Sequence, residues 1–395
     1  MKKLRIGVIG AGTAGLATGI ALARHGHIVQ VLEKHPSQAT LGAGVLIQPQ
    51  GVIALSELGV GEEFKRVSVP IERLVGTCHR GWRLVDIPYR DTEAQAVSRT
   101  ALGKILLSAA LDAGVEIRFN AAVEDIGVDG ASATATIGAE RLEFDILVIA
   151  NGASSQLPAK TGLAVASQKY PWGALWGLFD LDQWPNERLL EQRFATTRKM
   201  YGIMPTERVG TKLRVSFFWS LPCSGYEQWR ASSLETWKAT LLELWPESHP
   251  VVERISTHDQ LTFATYYRAR PARLAAPPVC IVGDAAHAMS PQLGLGSTLA
   301  VQDALALARN VERLGPVNGL KEYSRARLPS VRAYQALSRM LTPCFQSDSN
   351  GLWRDVLFAC GLHVPGMRTL MYRSIAAPRS ERRGHLEAAC RHGSL

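Results

Sequence analysis

Three glycines within six residues, Gly10-Ala-Gly-Thr-Ala-Gly15, separate an apolar run beginning at Leu4 from a helical stretch that ends near Arg24. A second apolar run closes at Glu33 and is followed by Lys34. Strand, glycine turn, helix and strand in that order specify the opening of a parallel α/β sheet built to hold a dinucleotide. Gly10 permits the tight turn out of the strand, and Gly12 lets the backbone approach a pyrophosphate. Gly15 lets helix and strand close on each other, with Ala14 in the same turn. The phosphates then rest on the N-terminus of the helix. Glu33 lies eighteen residues after Gly15, placed to accept hydrogen bonds from a ribose diol. Its carboxylate repels a 2′-phosphate, which leaves FAD or NAD as the ligand.

This reading also accounts for Lys2-Lys3, the apolar run and Ala21-Leu-Ala23, which otherwise imitate a secretory signal. No apolar run reaches the ~20 residues that a membrane span requires. The composition, 46% hydrophobic and 20% charged over 395 residues, is that of a globular protein of two or three domains. The formal charge of +9 owes much to the C-terminus, where Arg373, Arg379, Arg382, Arg383 and Arg391 face only Glu381 and Glu387. No stripe of basic and aromatic residues indicates nucleic-acid binding. Cys78, Cys223, Cys280, Cys344, Cys360 and Cys390 show neither metal nor redox spacing, so no metal is expected and the thiols read as reduced. A cytoplasmic location is the expectation.

A second glycine-rich turn decides between the two dinucleotides. The buried-type run Val279-Cys-Ile-Val-Gly283 ends in Asp284, a carboxylate where open α/β sheets place their ligands. Pro291-Gln-Leu-Gly-Leu-Gly296 follows, then a helix with Ser297 or Thr298 as the expected N-cap and Asp303 a turn or two inside. NAD needs no second acid and second anion site so far along the chain. FAD has a ribitol chain for Asp284, and a flavin whose reduced, anionic form the turn and helix dipole stabilise.

The fold class expected is therefore α/β: a Rossmann-like FAD-binding domain, an inserted and mainly antiparallel β-sheet substrate domain, and C-terminal helices. The FAD-binding part comprises residues 1–67, 98–160 and 275–330. Expected strands here include Val115–Phe119, Ala121–Val128, Ser132–Ile137 and the apolar run from Phe144 to Ala150. Residues 68–97 and 161–274, which carry most of the tryptophans and alternating segments, form the substrate part. Helices over 331–373 and a mobile basic tail over 374–395 complete the chain.

Gly10–Gly15 with Glu33, Val97-Ser-Arg99 opening a helix, Asn151-Gly152, and Gly283-Asp284 with Pro291, Gly294 and Gly296 resemble, in that order, the FAD-dependent aromatic hydroxylases of the para-hydroxybenzoate and salicylate hydroxylase type. The resemblance spans roughly residues 1–340. It implies that Arg99 contacts FAD, that Asp284 holds the ribitol, and that Pro291, Gly294, Leu295, Gly296 and Ser297 border the flavin edge where oxygen is activated. Pro291, Gly294 and Gly296 are thus the expected catalytic positions. Leu41–Pro49, with Gly44 and Val45, is similar to the segment lying against the isoalloxazine, most closely in phenazine-modifying members. Val123 is a further expected cofactor contact. In this family one atom of O2 reaches an aromatic substrate through a flavin hydroperoxide, with NADH or NADPH as reductant.

Asn151 and Pro158 depart from the family pattern, which has Asp and Arg there, and Ser297-Thr298 replace a common Met-Asn pair. The loss of a guanidinium predicts weak use of NADPH, with Arg198 or Arg214 as substitutes and an external flavin reductase as an alternative electron source. Trp176, Tyr201, Phe217 and Trp219 are the candidates for the substrate pocket, from an aromatic set that also includes Trp172. His287 reads as scaffold beside the cofactor, Cys280 as core, and His258-Asp259 as a weak acid–base pair because neighbouring strand residues face opposite ways. The function expected is monooxygenation of a planar aromatic or polyketide-like small molecule. A non-redox cyclisation or isomerisation on the same fold, or flavin-dependent halogenation, is the alternative; no Trp-x-Trp-x-Ile-Pro segment supports the halogenase.

Overall fold

The structure, a computed structural model, describes residues 2–38, 43–89, 93–163 and 165–365. Strand Arg5–Ile9 pairs in parallel with Ile28–Leu32 on one side and Ile146–Ile149 on the other. Val279–Ile281 extends the sheet in parallel beyond Ile146–Ile149, and Glu116–Arg118 extends it beyond Ile28–Leu32. The short strand Ala275–Ala276 adds an antiparallel edge. Ile146, Leu147, Val148 and Ile149 are all fully buried, which explains the unbroken apolar text: neither face meets water. Helix Thr13–Arg24 packs on helices Arg99–Asp112 and Gly296–Phe345. The segment expected as strand from Ala121 begins only at Asp125, because Ala121 N–H is spent on the carbonyl of Glu33. Asp125–Asp129, Ser132–Ile137 and Glu140–Phe144 form a separate antiparallel sheet.

The second large sheet among the described residues runs in the order Thr262–Pro271, Val165–Leu181, Lys212–Pro222, Lys199–Val209, Leu189–Ala195, Arg73–Cys78, Arg83–Pro88. The pairing of Arg73–Cys78 with Leu189–Ala195 is parallel, and the others are antiparallel. Both faces are covered. On one, Tyr201, Ile203, Phe217 and Trp219 pack with Trp229, Trp237 and Trp245 from the 226–252 helical segment. On the other, Met200, Met204 and Phe218 pack toward Leu293, Leu295, Leu299 and Phe345.

Two polar contacts tie this sheet to a small antiparallel one of Gly44–Ile47, Ala94–Ser98 and Val69–Ile71. Gly44 N–H donates to Ser216 Oγ at 3.0 Å, and the Ser98 hydroxyl donates to Glu207 Oε2 at 3.1 Å. Helix Gly296–Phe345 is broken at Gly315, whose φ of 76° interrupts it before Pro316. Helix Leu352–Gly361 then folds back over the large sheet and is pinned by buried charges. Arg354 pairs with Asp355 at 2.7 Å, Arg80 with Asp355 at 2.6 Å, and Arg354 donates to the carbonyls of Cys344 and Thr196. Among the described residues no helix is long and apolar enough to cross a membrane. The expected tail over 374–395, with the end of the expected 331–373 helical segment, lies outside the described residues.

Candidate functional site

The first turn carries its constraints in the backbone. Gly10 has φ of +104°, and a Cβ on Gly15 would lie 1.8 Å from the Gly10 carbonyl oxygen. A Cβ on Gly12 would meet nothing within 4 Å. The space beside Gly12 is thus left open by the protein, and helix Thr13–Arg24, whose N-cap is Gly12, starts there with no side-chain cap. Uncapped N–H groups and open space fit a pyrophosphate. Glu33 Oε2 accepts the Ala11 N–H at 2.7 Å and Oε1 accepts the His35 N–H at 3.0 Å, which fixes the half-buried carboxylate at the mouth of the turn. Lys34 is exposed beside it, and Val123 is half-buried against the core two residues after Ala121, whose N–H donates to the Glu33 carbonyl.

The second turn leans on the first. Gly283 has φ of +60°, and a Cβ there would lie 2.5 Å from that of Ala14, so the two glycine turns touch. Asp284 is exposed at the start of a four-residue helix, its carboxylate facing Gly296: a Cβ on Gly296 would lie 3.8 Å from Oδ1. Beneath it lies a buried charge cluster. Asp303 Oδ2 accepts from Gly283 N–H at 3.2 Å and sits 2.8 Å from His287 Nε2, while Oδ1 accepts from Arg327 Nε at 2.8 Å. Burial pushes the Asp303 carboxyl up, but Arg327 and His287 beside it outweigh that and hold it below its ordinary value.

The long helix begins at Gly296 with Leu295 as N-cap and no side-chain cap, so the expected capping by Ser297 or Thr298 is corrected. Gly294, at φ of +59°, ends the Pro291–Leu293 turn and brings the chain into the helix earlier than the sequence suggested. Thr298 lies in the first turn, and its hydroxyl accepts the Gln48 N–H at 3.3 Å. The Gln48 side chain donates to the Leu293 carbonyl and accepts from Tyr89 OH at 3.0 Å, clamping the turn.

Between this turn and the large sheet lies a cavity of about 900 Å³. Gly44, Val45, Arg99, Asp284 and Pro291–Ser297 line one end. The sheet contributes Trp176, Met200, Met204, Phe218, Gln192, Ser216 and Tyr266, and the C-terminal helices contribute Leu337, Leu341, Phe345 and Phe358. The wall is mainly apolar, with a few neutral polar groups and the charged Arg99 and Asp284, as a site for a flat organic ligand allows. Trp176 and Phe218 have ring centroids 5.2 Å apart. Trp176 Nε1 donates to Tyr266 OH at 3.0 Å, and burial pushes the Tyr266 phenol up to about 12. It therefore keeps its proton and can donate to a ligand.

Of the expected pocket residues, only Trp176 reaches the cavity. Tyr201, Phe217 and Trp219 lie on the opposite face of the sheet, and this expectation is corrected by register. Trp176 pairs with Phe218, whereas Tyr201 pairs with Trp219 and Ile203 with Phe217. Adjacent residues on a strand face opposite ways, so Phe218 joins Trp176 and its two neighbours cannot. The sequence reading missed Met200, Met204, Phe218, Gln192, Gln48 and Tyr266. Alternation within each strand is visible in the text, and pairing Trp176 with Phe218 was the signal needed to choose the face. His258 and Asp259 are drawn away from the cavity, His258 packing on Trp229 and Asp259 pairing with Arg230. No cluster of metal-binding side chains occurs among the described residues.

A protein family described as an FAD binding domain matches residues 3–338. The probable 2-heptyl-3-hydroxy-4(1H)-quinolone synthase of Rhodococcus erythropolis is 25% identical over 340 residues, covering 84% of this chain and 86% of its own. The 3-hydroxybenzoate 6-hydroxylase 1 of Aquipseudomonas alcaligenes is 25% identical over 358 residues, covering 84% of this chain and 87% of its own. Among solved structures, Klebsiella pneumoniae HpxO complexed with FAD superposes with a TM-score of 0.79 at 21% identity, covering 94% of this chain and 98% of that one.

Proposed function

The chain belongs to the family of proteins with this FAD binding domain, and from that premise we propose that it is an FAD-dependent monooxygenase that inserts one oxygen atom from O2 into a small aromatic molecule. The observation that carries the proposal is the contact between two glycine turns, each leading into a helix without a side-chain cap, the second of which lines an apolar cavity of about 900 Å³. The open space at Gly12 takes the pyrophosphate, Glu33 the adenosine ribose, and Asp284 the ribitol. Arg99, Gly44 and Val45 lie against the ring system, and Leu295, Gly296 and Ser297 present backbone N–H groups to its edge. Residues 1–67, 98–160 and 275–330 form the FAD-binding part in this reading, with 68–97 and 161–274 as the substrate part. Bound and reduced, FAD supplies the activation of O2.

The protein's own contribution is placement and exclusion of water. Trp176 and Phe218 present flat apolar surface to a ring, and Tyr266 donates a hydrogen bond to a polar substituent. The helix Gly296–Phe345 directs its positive end at the flavin turn, which stabilises negative charge on the reduced ring system. Reducing equivalents come from NADH or NADPH, with an external flavin reductase as the alternative source.

The test is the purified holoprotein. It is expected to be yellow with one FAD per chain, and to oxidise nicotinamide faster when an accepted aromatic compound is present. A colourless protein that takes up no added FAD would overturn the reading.

A further inference from the structure

The cavity does not end at the sheet. Its lining continues to Met340, Val356, Leu357 and Val364, which form an apolar mouth between the end of the long helix and Leu352–Gly361. These four side chains are 69%, 44%, 59% and 51% exposed, so the apolar wall runs from the ring site out to solvent. This is a built opening, since the buried Arg354–Asp355 pair and its bond to Arg80 fix the helix that carries Val356 and Leu357. At the ring end the polar side chains from the sheet are neutral: Gln192, Ser216 and Tyr266. The charged side chains of the lining, among the described residues, are Asp284, which faces Gly296, and Arg99, which the flavin-site reading gives to the cofactor and whose charge also reaches Tyr266.

We propose that the substrate is an uncharged aromatic compound bearing an apolar chain, its ring against Trp176 and Phe218 and its chain leaving through the Met340–Leu357 mouth. This rests on the flavin-site reading for which end of the cavity holds the ring. With Arg99 engaged by the cofactor in that reading, a carboxylate on the ring would be buried against apolar wall without a free cation, which disfavours aromatic acids. A chain laid along the mouth covers apolar surface that otherwise faces water, so each added methylene strengthens binding by about twofold to fourfold.

The test uses the FAD-loaded full-length protein and three matched probes, 4-methylphenol, 4-heptylphenol and 4-heptylbenzoate, with affinities from titration calorimetry. 4-Heptylphenol is expected to bind at least roughly sixtyfold more tightly than 4-methylphenol, and about tenfold or more tightly than 4-heptylbenzoate. Leu357→Asp and Met340→Asp are expected to flatten the gain per methylene while FAD content, read from the visible spectrum, confirms the fold. Affinity independent of chain length, or tighter binding of the benzoate, would overturn the proposal. FAD content is measured separately, so FAD-loaded protein that binds the probes in another order overturns this proposal alone, whereas protein that takes up no added FAD overturns the cofactor reading on which it rests.

Discussion

Gly12 and Gly15 stand three residues apart, and a side chain at each does different harm. At Gly12 the protein offers open space, so Gly12→Val should fold and lose FAD, because the new methyl groups occupy the pyrophosphate position. At Gly15 a Cβ meets the Gly10 carbonyl, so Gly15→Ala should lower the thermal midpoint itself. Visible absorbance and a melting curve on both variants separate the effects; full FAD occupancy in Gly12→Val would refute the assignment of the turn. Asp284→Ala should weaken FAD by roughly 1.5–3 kcal/mol, the worth of a hydrogen bond to a charged group, and turnover should return at saturating FAD. Turnover lost despite saturation would instead give Asp284 a direct part in the chemistry. The glycine turns were legible in the sequence because backbone conformation is a local property. The identity of the pocket aromatics was not. Which of Phe217, Phe218 and Trp219 meets Trp176 depends on register between strands, and register shifts occur near Lys169–Gly173 and Pro205–Glu207.

At the scale of elements, the Gly283–Asp284 turn is held from below by Asp303, which joins it to His287 and to Arg327 on the same long helix. Removing the acid leaves Arg327 buried beside an unpaired imidazole, so Asp303→Ala should cost about 3–5 kcal/mol, measurable by urea unfolding. The sign of the pH dependence follows from the depressed carboxyl. Its contribution is present above the unfolded carboxylate value of about 4 and is lost as pH falls through the lower folded value. The wild-type protein should therefore lose stability in that acid window more steeply than Asp303→Asn, and identical acid profiles would contradict the assignment. The sequence showed the helix and its glycine-rich entry, but placed the N-cap at Ser297 or Thr298. The chain enters the helix at Leu295 after Gly294, and Gln48 clamps that turn from a segment some 245 residues away.

Across the whole molecule, the alternation of parallel-sheet and antiparallel-sheet text along the chain was readable, because burial on two faces and burial on one leave different periodicities. The joining of Arg73–Cys78 to Leu189–Ala195 required the structure. So did the fate of the arginines expected to serve the reductant. Arg198 pairs with Asp348 at 2.9 Å, and Arg214 with Asp180 and Glu207 at 2.6 and 2.7 Å, so neither is a spare cation for a phosphate. With Asn151 and Pro158 in place of the charged pattern, NADH should reduce the bound flavin at least as fast as NADPH. Stopped-flow reduction with each nucleotide checks this, and a strong preference for NADPH without substrate would contradict it. Whether an atom of dioxygen ends in the product is read from turnover under isotopically labelled O2. Any aromatic compound that stimulates nicotinamide oxidation by the FAD-loaded protein will serve as substrate. The product of a monooxygenase carries one labelled oxygen atom; a rearranged product without label, or one whose oxygen comes from water, would overturn that function.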